Sequence, residues 1–240
     1  MGQTKPGKTM TKTLLTIFHR LHQHYGDQHW WPAGTPCEMI VGAILTQSTA
    51  WKNVEKALAN LKQAKLLNWK SLLSVDEKRL ARLIRSSGYF NAKAKKLKSF
   101  VTFLYDRYQG SLKIMFATPL PELRKELLAV YGIGEETADS ILLYAGNQPS
   151  FVIDAYTRRI FSRLGIVRPT PKTYHEWQQF FMHHVPPDAR LYNEYHALLV
   201  AFGKEQCTKQ AKCDICLLKD FCQHPESREF PTIYFNREGR

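Results

Sequence analysis

Four cysteines confined to sixteen residues constrain the C-terminal part of this 240-residue chain more than any other feature. They follow the spacing C-x5-C-x2-C-x5-C and are Cys207, Cys213, Cys216 and Cys222. A secreted disulfide protein of this size would spread its cysteines to join distant segments. Four thiolates this close together repel one another unless a cation lies among them, so the spacing predicts a metal site.

Two kinds of metal centre compete for this site. Structural zinc usually takes two well-separated C-x2-C pairs, whereas this run has one C-x2-C pair flanked by wider gaps. A [4Fe–4S] cluster takes four cysteine ligands and suits such a compact segment. We therefore expect a [4Fe–4S] cluster, with zinc as the alternative. The fifth cysteine, Cys37, lies in an apolar stretch and is expected to be a buried thiol.

The net charge of +13, from 34 Lys and Arg against 21 Asp and Glu, favours a polyanionic partner such as nucleic acid. Hydrophobic residues make up 44%, which is typical of a globular protein and argues against disorder. The longest apolar stretch, residues 39–45, is too short to span a bilayer, and the first twenty residues lack a signal-peptide pattern. We expect a soluble, cytoplasmic monomer, associated with the nucleoid if the source is bacterial.

The hydrophobic pattern is helical almost throughout. Thr35-Pro36-Cys37-Glu38 has the form of a capping box with Pro at the first helical position, and it predicts an apolar helix toward Leu45. Apolar residues at helical spacing from Val54 to Leu61 predict a second helix. Further helices are expected near residues 76–86, 92–108, 121–130, 135–146, 155–164, 173–184 and 189–202. Only residues 150–153 resemble a strand, so the pattern predicts an all-α fold, with residues 223–240 as a tail.

Residues 127–145, LLAVYGIGEETADSILLYA, place Gly132 and Gly134 between two apolar helices, with Thr137 at the start of the second. Glycines there allow a tight turn and let backbone amides approach a phosphate. An ordinary αα-hairpin would use a similar turn. In its context the string resembles a helix-hairpin-helix, a motif that binds the DNA backbone without reading sequence.

The segment Phe151-Val152-Ile153-Asp154 follows this hairpin. Asp154 is a suitable helix N-cap, and a carboxylate fixed at a helix start is also well placed to face a sugar. The order of hairpin, V-I-D segment and four-cysteine run resembles the endonuclease III superfamily of DNA glycosylases over residues 30–222. One departure is the first cysteine gap, which has five residues where the family pattern has six.

The resemblance implies two helical domains with double-stranded DNA bound in the cleft between them. A six-helix domain with the hairpin would cover residues 34–149, and a discontinuous domain with the cluster would combine residues 1–33 and 150–222. It also implies that the target nucleotide is flipped out, because the glycosidic bond is inaccessible inside a stacked duplex.

Several residues carry over as candidate DNA contacts. Gln47 is similar to the family residue that enters the space left by the flipped base, although an exposed loop residue is an equally good interpretation. Gly132, Gly134 and Thr137 match the hairpin that grips the backbone. A basic run also stands out, and it either tracks phosphates or forms a solvated face: Lys93, Lys95, Lys96 and Lys98.

The hairpin departs from the family at the position that carries the lyase lysine of bifunctional members, which is Glu136 here. A carboxylate cannot form a Schiff base with C1′ of the sugar. The resemblance therefore implies a monofunctional glycosylase without Lys-dependent lyase activity. Asp154 would be its catalytic residue, stabilising oxocarbenium-like charge and orienting water.

Three tryptophans, Trp30, Trp31 and Trp51, resemble the aromatic pocket of type III 3-methyladenine DNA glycosylases. Indole faces attract a cationic alkylated purine, although core packing is the alternative for any one tryptophan. Mismatch adenine glycosylases place a Glu five residues before the intercalating Gln, and here that residue is Gly42. The expected activity is hydrolytic release of an alkylated purine such as 3-methyladenine in base excision repair.

Two other functions stay open. A mismatch or deaminated-base glycosylase on the same scaffold would read uracil or thymine by hydrogen bonds, and the tryptophan doublet argues mildly against it. A non-catalytic module that binds damaged DNA would have no need of a carboxylate near phosphates, so Asp154 argues against that function.

Overall fold

The computed structural model describes residues 6–31, 33–210 and 212–223. Within these residues the chain is helical and contains no strand, which confirms the predicted all-α fold. None of the described helices is long and apolar enough to cross a membrane. Apart from residue 223, the predicted tail lies outside the described residues.

The helices are α1 (Pro6–Tyr25), α2 (Pro36–Leu45), α3 (Trp51–Gln63), α4 (Trp69–Ser74), α5 (Glu77–Leu83), α6 (Phe90–Tyr108), α7 (Leu112–Phe116), α8 (Leu120–Ala129), α9 (Glu135–Ser140), α10 (Ala155–Leu164), α11 (Tyr174–His184) and α12 (Ala189–Glu205). A π-helical turn, Ile141–Ala145, continues α9. Short 3₁₀ turns cover Arg85–Ser87, Cys213–Ile215 and Lys219–Phe221.

Every helix that the pattern predicts is present, with its ends shifted by a few residues. The capping box at α2 forms only in part. The Thr35 hydroxyl accepts the Glu38 N–H at 3.1 Å, but the Glu38 carboxylate accepts from the Gly34 N–H at 3.0 Å and not from Thr35. Lys62 pairs with that carboxylate at 2.5 Å, and the buried charge is therefore neutralised away from the cap.

Three helices, α1, α4 and α7, were not predicted. Six residues in α4 and five in α7 are too few to establish a helical period. The apolar residues of α1, Leu14, Ile17 and Leu21, do lie at helical spacing and are fully buried. They follow a polar first half that obscures the pattern.

The described residues form two compact units, one of which combines His29–Val152 with Pro186–Glu194. Its centre is α2, in which every residue from Glu38 to Leu45 is buried. A helix that is apolar on all faces must be surrounded by protein, and α2 packs against α3, α6 and α9.

The helical hairpin of this unit, α8 and α9, is joined by a buried ion pair. Arg124 on α8 donates from Nε and Nη2 to the two carboxylate oxygens of Asp139 on α9, at 2.8 and 3.0 Å. Asp139 is fully buried and also accepts a hydrogen bond from the Ser150 hydroxyl at 2.6 Å. Because both members are paired and hydrogen-bonded, the charges are tolerated inside the protein and fix one helix against the other.

The other unit draws on the described residues within Met1–Gln28, Ile153–Val185 and Tyr195–Arg240. Its core gathers around Tyr195 of α12, whose ring contacts Phe18 of α1 and Phe181 of α11 at centroid distances of 5.4 and 6.2 Å. The Tyr195 hydroxyl donates to the Leu14 carbonyl at 2.8 Å, so its polar end is satisfied inside the core.

Removing the buried carboxylate should destabilise the protein through the hairpin. Asp139→Ala leaves the Arg124 guanidinium without its main partner, and we expect a loss of about 3–5 kcal/mol in the free energy of unfolding. Chemical denaturation monitored by circular dichroism measures this. Glu135→Ala is the control, because Glu135 lies 3.6 Å from the same Arg124 but is partly exposed, and its loss should cost less than about 1 kcal/mol. Equal losses in both variants would contradict the assigned role of Asp139.

Candidate functional site

Asp154 lies at the start of α10, where the apolar run that ends at Ile153 gives way to a helix. Its Oδ1 accepts the Thr157 N–H at 2.7 Å, so it is the N-cap that the sequence predicts. His196 Nε2 lies 3.6 Å from Asp154 Oδ2, and both side chains are buried. The result is a carboxylate with a fixed orientation and a cap that occupies one of its two oxygens.

Two opposing influences set the charge of Asp154. Burial by itself raises the pKa of this carboxyl. The charge and hydrogen bond of His196, together with the bonds from Thr157, lower the pKa by more than burial raises it. The net pKa lies below the usual range, so Asp154 is negatively charged at neutral pH. His196 was not identified from the sequence, where it is one of several polar residues in α12.

Gln47 follows the end of α2 and is half-buried, so it is not the exposed loop residue that was the alternative. Its Nε2 donates to the Gly132 carbonyl and to the Thr137 hydroxyl, each at 3.0 Å. Its Oε1 accepts a hydrogen bond from Lys96 Nζ. The structure thus brings together Gln47 and two of the three predicted hairpin residues.

The two hairpin glycines differ in what they require. Gly132 has φ of +81°, and a Cβ built there would collide with the side chain of Lys96. Gly134 has φ of −90° and open space around it. Glu136, at the lyase position, is exposed in the first turn of α9, whereas Thr137 is buried.

The predicted basic run does not form a uniform solvated face. Lys93 is buried, and its ammonium donates to the carbonyls of Leu45 and Ser87 at 2.9 and 2.6 Å. Burial, followed by the nearby Lys96 charge, lowers the pKa of Lys93 to about 8. Lys98 bonds carbonyls at the end of α4, including that of Leu72 at 3.1 Å. Lys93 and Lys98 are therefore structural, and Lys95 is the exposed member of the run.

Tyr89, which precedes α6, is a candidate that the sequence did not single out. Its side chain is 73% exposed, and its φ of +46° is unusual for a residue other than glycine. The adjacent turn is held by Lys93 through the Ser87 carbonyl. A large, exposed ring on a rigid turn has no role in the core and is available to a partner.

Two of the three predicted pocket tryptophans meet in one aromatic group. The rings of Trp31 and Trp51 lie 5.0 Å apart, nearly perpendicular, and Tyr144 lies 5.4 Å from Trp31. Trp30 contacts Trp31 at 5.5 Å. All are partly exposed, so they form an edge of the core and are not enclosed within it.

This aromatic group covers Gly42 of α2. A Cβ built at Gly42 would lie 3.4 Å from Trp31 Nε1 and 3.6 Å from the Trp51 ring. These are ordinary van der Waals contacts, so a side chain longer than alanine at this position would compete with the two indoles for space. Trp51 is fixed at its edge by Glu55, whose carboxylate accepts the indole N–H at 2.9 Å. Glu55 was not predicted, since an acid on a helix surface carries no distinctive signal.

The four predicted cysteine ligands line a single cavity together with Arg163. Arg163 is buried and donates to Cys207 Sγ at 3.4 Å and to the Lys209 carbonyl at 3.1 Å. No cysteine among the described residues belongs to a set of side chains that converges on the position of a single ion. A zinc ion at 2.3 Å from each sulfur would hold the sulfurs about 3.8 Å apart, whereas a cubane cluster holds them farther apart.

The cysteine cavity favours the neutral thiol at Cys216 unless a cation is bound. Burial raises the pKa of Cys216, and the other three cysteines raise it further. Four thiolates in this cavity therefore require compensating positive charge, which is the chemistry of a metal centre. Cys37, by contrast, is half-buried against the core, and burial raises its pKa to about 12, so it behaves as an inert thiol.

Comparison with known proteins places this geometry in a family. The model of the HhH-GPD superfamily of base excision DNA repair proteins matches residues 41–187. This chain belongs to that superfamily. A protein of Methanocaldococcus jannaschii, provisionally named a DNA repair glycosylase, is 50% identical over 211 residues, covering 87% of this chain and 95% of the relative.

Two solved structures support the assignment. The 3-methyladenine DNA glycosylase of Helicobacter pylori, bound to 1,N6-ethenoadenine, is 30% identical, with a TM-score of 0.70 over 83% of this chain and 97% of that one. An endonuclease III–DNA complex has a TM-score of 0.77 over 91% of this chain and 97% of that one, at 22% identity, which shows the fold alone. The chain described here is therefore a DNA glycosylase of base excision repair. The predicted resemblance to the endonuclease III superfamily is confirmed.

The hairpin glycines should respond differently to the same small substitution. Gly132→Ala imposes a left-handed backbone on alanine and drives its Cβ into Lys96, so we expect a loss of about 1–3 kcal/mol in the free energy of unfolding. Gly134→Ala should cost less than about 1 kcal/mol, since Gly134 has ordinary φ and open space and the substitution loses only the preference for glycine at the N-cap of α9. Denaturant titration of both variants gives the two values, and a tolerated Gly132→Ala would be inconsistent with the described turn.

Proposed function

We propose that this HhH-GPD protein is a monofunctional glycosylase that hydrolyses the N-glycosidic bond of an alkylated purine, such as 3-methyladenine, in double-stranded DNA. The observation that carries the proposal is the aromatic group of Trp31, Trp51 and Tyr144 above Gly42. The 3-methyladenine DNA glycosylase of Helicobacter pylori, which is 30% identical, supports the same substrate class.

The aromatic group suits a cationic base. Alkylation at a ring nitrogen gives the purine a positive charge, and indole faces attract cations with about 0.5–2 kcal/mol when water is excluded. The Glu55 carboxylate, which accepts the Trp51 indole N–H, adds negative charge at the edge of the ring. Trp30 lies against Trp31, so we assign base contact to Trp31 and Trp51 and a supporting position to Trp30.

Asp154 is proposed as the catalytic carboxylate. As the bond to the base breaks, the sugar acquires oxocarbenium-like positive charge, which a fixed carboxylate stabilises. The Thr157 cap and His196 keep Asp154 charged and oriented, so no reorganisation is needed when the sugar charge develops. Its second oxygen, Oδ2, faces His196 at 3.6 Å, and in the proposed mechanism it also orients the attacking water. A cationic base is already a good leaving group, so little general-acid assistance is required.

The glutamate at the lyase position of the hairpin leads us to propose hydrolysis without strand cleavage. Glu136 supplies no amine, and an exposed carboxylate cannot form a Schiff base with C1′. Water is then the nucleophile, and the product is an intact abasic site.

DNA is the proposed partner, bound through the hairpin and two neighbouring loops. Gly132, Gly134 and Thr137 would contact backbone phosphates, which makes binding independent of sequence. Gln47 would fill the space left by the flipped base. Tyr89, with its exposed ring, would stack on bases beside that space.

We further propose that Cys207, Cys213, Cys216 and Cys222 hold a [4Fe–4S] cluster. Support comes from the cavity that the four cysteines share and from the Arg163 N–H directed at Cys207. When bound, such a group stabilises the C-terminal loop and can in principle exchange an electron. The residues around it hold the loop: Arg159 donates to the Cys207 and Gly203 carbonyls at 2.8 and 2.7 Å.

The metal assignment predicts about four iron atoms per chain in protein purified without oxygen, with the broad visible absorption of an iron–sulfur cluster. Cys213→Ser should lose iron and lower the thermal stability of the protein. Cys37→Ser is the matched control and should keep full iron content, because Cys37 is remote from the cavity in sequence and is not among its lining residues. One zinc atom per chain and no iron in the wild type would refute the cluster.

The catalytic assignment predicts that Asp154→Asn slows base release by at least about a hundredfold, because the amide keeps the size and some capping ability but lacks the charge. The measurement is single-turnover release from duplexes that each carry one defined lesion, among them 3-methyladenine, 1,N6-ethenoadenine, uracil and a thymine mismatch. Affinity for DNA with an abasic-site analogue should survive the substitution.

The same set of lesion duplexes tests the substrate class separately from the catalytic role of Asp154. Trp51→Ala should slow release of the cationic purine much more than release of any neutral base, and no variant should form a borohydride-trapped adduct. Normal release by Asp154→Asn would overturn the catalytic assignment. Preferred release of uracil or thymine by the wild type would replace the alkylpurine assignment with a mismatch or deaminated-base glycosylase, and no release at all would favour a binding module.

A further inference from the structure

The side chain of Gln47 is fully engaged within the protein. Its amide nitrogen donates to the Gly132 carbonyl and the Thr137 hydroxyl, and its amide oxygen accepts from Lys96. A glutamine that enters a DNA duplex has to give up all three bonds. We call the observed position of Gln47 on the hairpin withdrawn, because the side chain is held away from any DNA duplex by these three hydrogen bonds.

Lys96 is the cation in this arrangement. Its aliphatic chain fills the space beside Gly132, which is why a Cβ has no room there, and its ammonium ends at Gln47 Oε1. The side chain is half-buried, and burial lowers the pKa of Lys96. If Gln47 moves away, the ammonium keeps its place beside the hairpin but loses its amide acceptor, and a half-buried cation without an acceptor is costly.

The neighbouring lysines do not share this situation. Lys93 and Lys98 are bonded to backbone carbonyls, which do not depart when DNA binds. Lys95 is exposed and lines a surface groove with the acidic residues Asp106 and Glu126. Among these four lysines, Lys96 alone has a movable DNA-contact candidate as its acceptor.

We propose that Lys96 holds Gln47 withdrawn on the hairpin and binds a DNA backbone phosphate in its place once Gln47 enters the duplex. The proposal rests on the proposed function, because it needs the hairpin to face phosphates and Gln47 to fill the space of a flipped base. Phosphate oxygen is the acceptor that a DNA-bound hairpin brings closest, and it carries the charge that an amide lacks. Lys96 is thus a positioning residue in the free protein and a phosphate ligand in the flipped complex.

The consequence is a lysine that contributes only when a base is out of the stack. On undamaged duplex Gln47 stays on the hairpin and Lys96 stays on Gln47, so Lys96 adds little to affinity. On a duplex with an abasic-site analogue Gln47 can insert, and Lys96 gains one phosphate contact. An ordinary surface lysine would strengthen both complexes equally.

The test compares Lys96→Met with the control Lys95→Met, using fluorescence anisotropy on two duplexes that differ only in one tetrahydrofuran abasic analogue. Methionine keeps most of the chain that packs beside Gly132. We expect Lys96→Met to weaken binding to the abasic duplex about tenfold and to the undamaged duplex by less than about twofold. The salt dependence of the abasic complex should fall by about 0.9 in log–log slope, the value for one phosphate. Lys95→Met should act alike on both duplexes, and Lys96→Arg should restore abasic binding.

A second experiment repeats the comparison in the Gln47→Ala variant, which lacks the acceptor of Lys96. In Gln47→Ala the ammonium is already released, so adding Lys96→Met should now weaken binding to undamaged duplex as well, by about the same tenfold factor. Equal weakening of both duplexes by Lys96→Met in the wild-type background, or no weakening of either, would overturn the proposal. A wild type that binds abasic and undamaged duplexes equally would overturn the proposed function, and this inference with it.

Discussion

The buried ammonium of Lys93 is the interaction on which the candidate DNA-contact loops depend. It donates to the Leu45 carbonyl, where α2 ends before Gln47, and to the Ser87 carbonyl, where the turn before Tyr89 begins. One charge inside α6 thereby fixes two loops that are far apart in sequence. Burying a lysine is costly, and its pKa of about 8 reflects that cost. The carbonyls of Leu45 and Ser87, each at the end of a helical segment, compensate for this cost. They explain why one lysine of a basic run is turned inward.

A similar balance holds at Asp154. A helix cap and an adjacent imidazole offset the desolvation of a carboxylate, so a fully charged group is kept in a buried position. Charge that is held in place before the reaction is the electrostatic contribution that a glycosylase needs, because the sugar is neutral in the ground state and positive in the transition state. The interpretation of Asp154 as an N-cap and its proposed catalytic role are thus one arrangement, in which the cap orients the charge.

Periodicity predicted most of the described helices because their apolar positions repeat over several turns, and Val54, Ala57, Leu58 and Leu61 are indeed the buried residues of α3. It missed α4 and α7, which are too short to show a period. The spacing of the cysteines predicted one metal site, and the four cysteines do line one cavity, while the glycines predicted the hairpin turn. The sequence could not predict which side chains on different helices contact one another. No pattern in one amino-acid sequence pairs His196 with Asp154 or directs Lys96 to Gln47. Nor does it show that Lys93 is buried while Lys95 is exposed.

The two departures from related glycosylases, one from mismatch adenine glycosylases and one from bifunctional members, form a chemically consistent set. Gly42 leaves room for two indoles and removes the acid that would protonate a neutral adenine. Glu136 removes the amine that would attack the sugar. A cationic purine makes both groups unnecessary, because it leaves without protonation and its departure requires only that the sugar cation be stabilised. In the proposed function the single buried charge of Asp154 then suffices, and the selectivity that an acid or amine would have provided passes to the aromatic group, because indole faces attract bases that carry a positive charge.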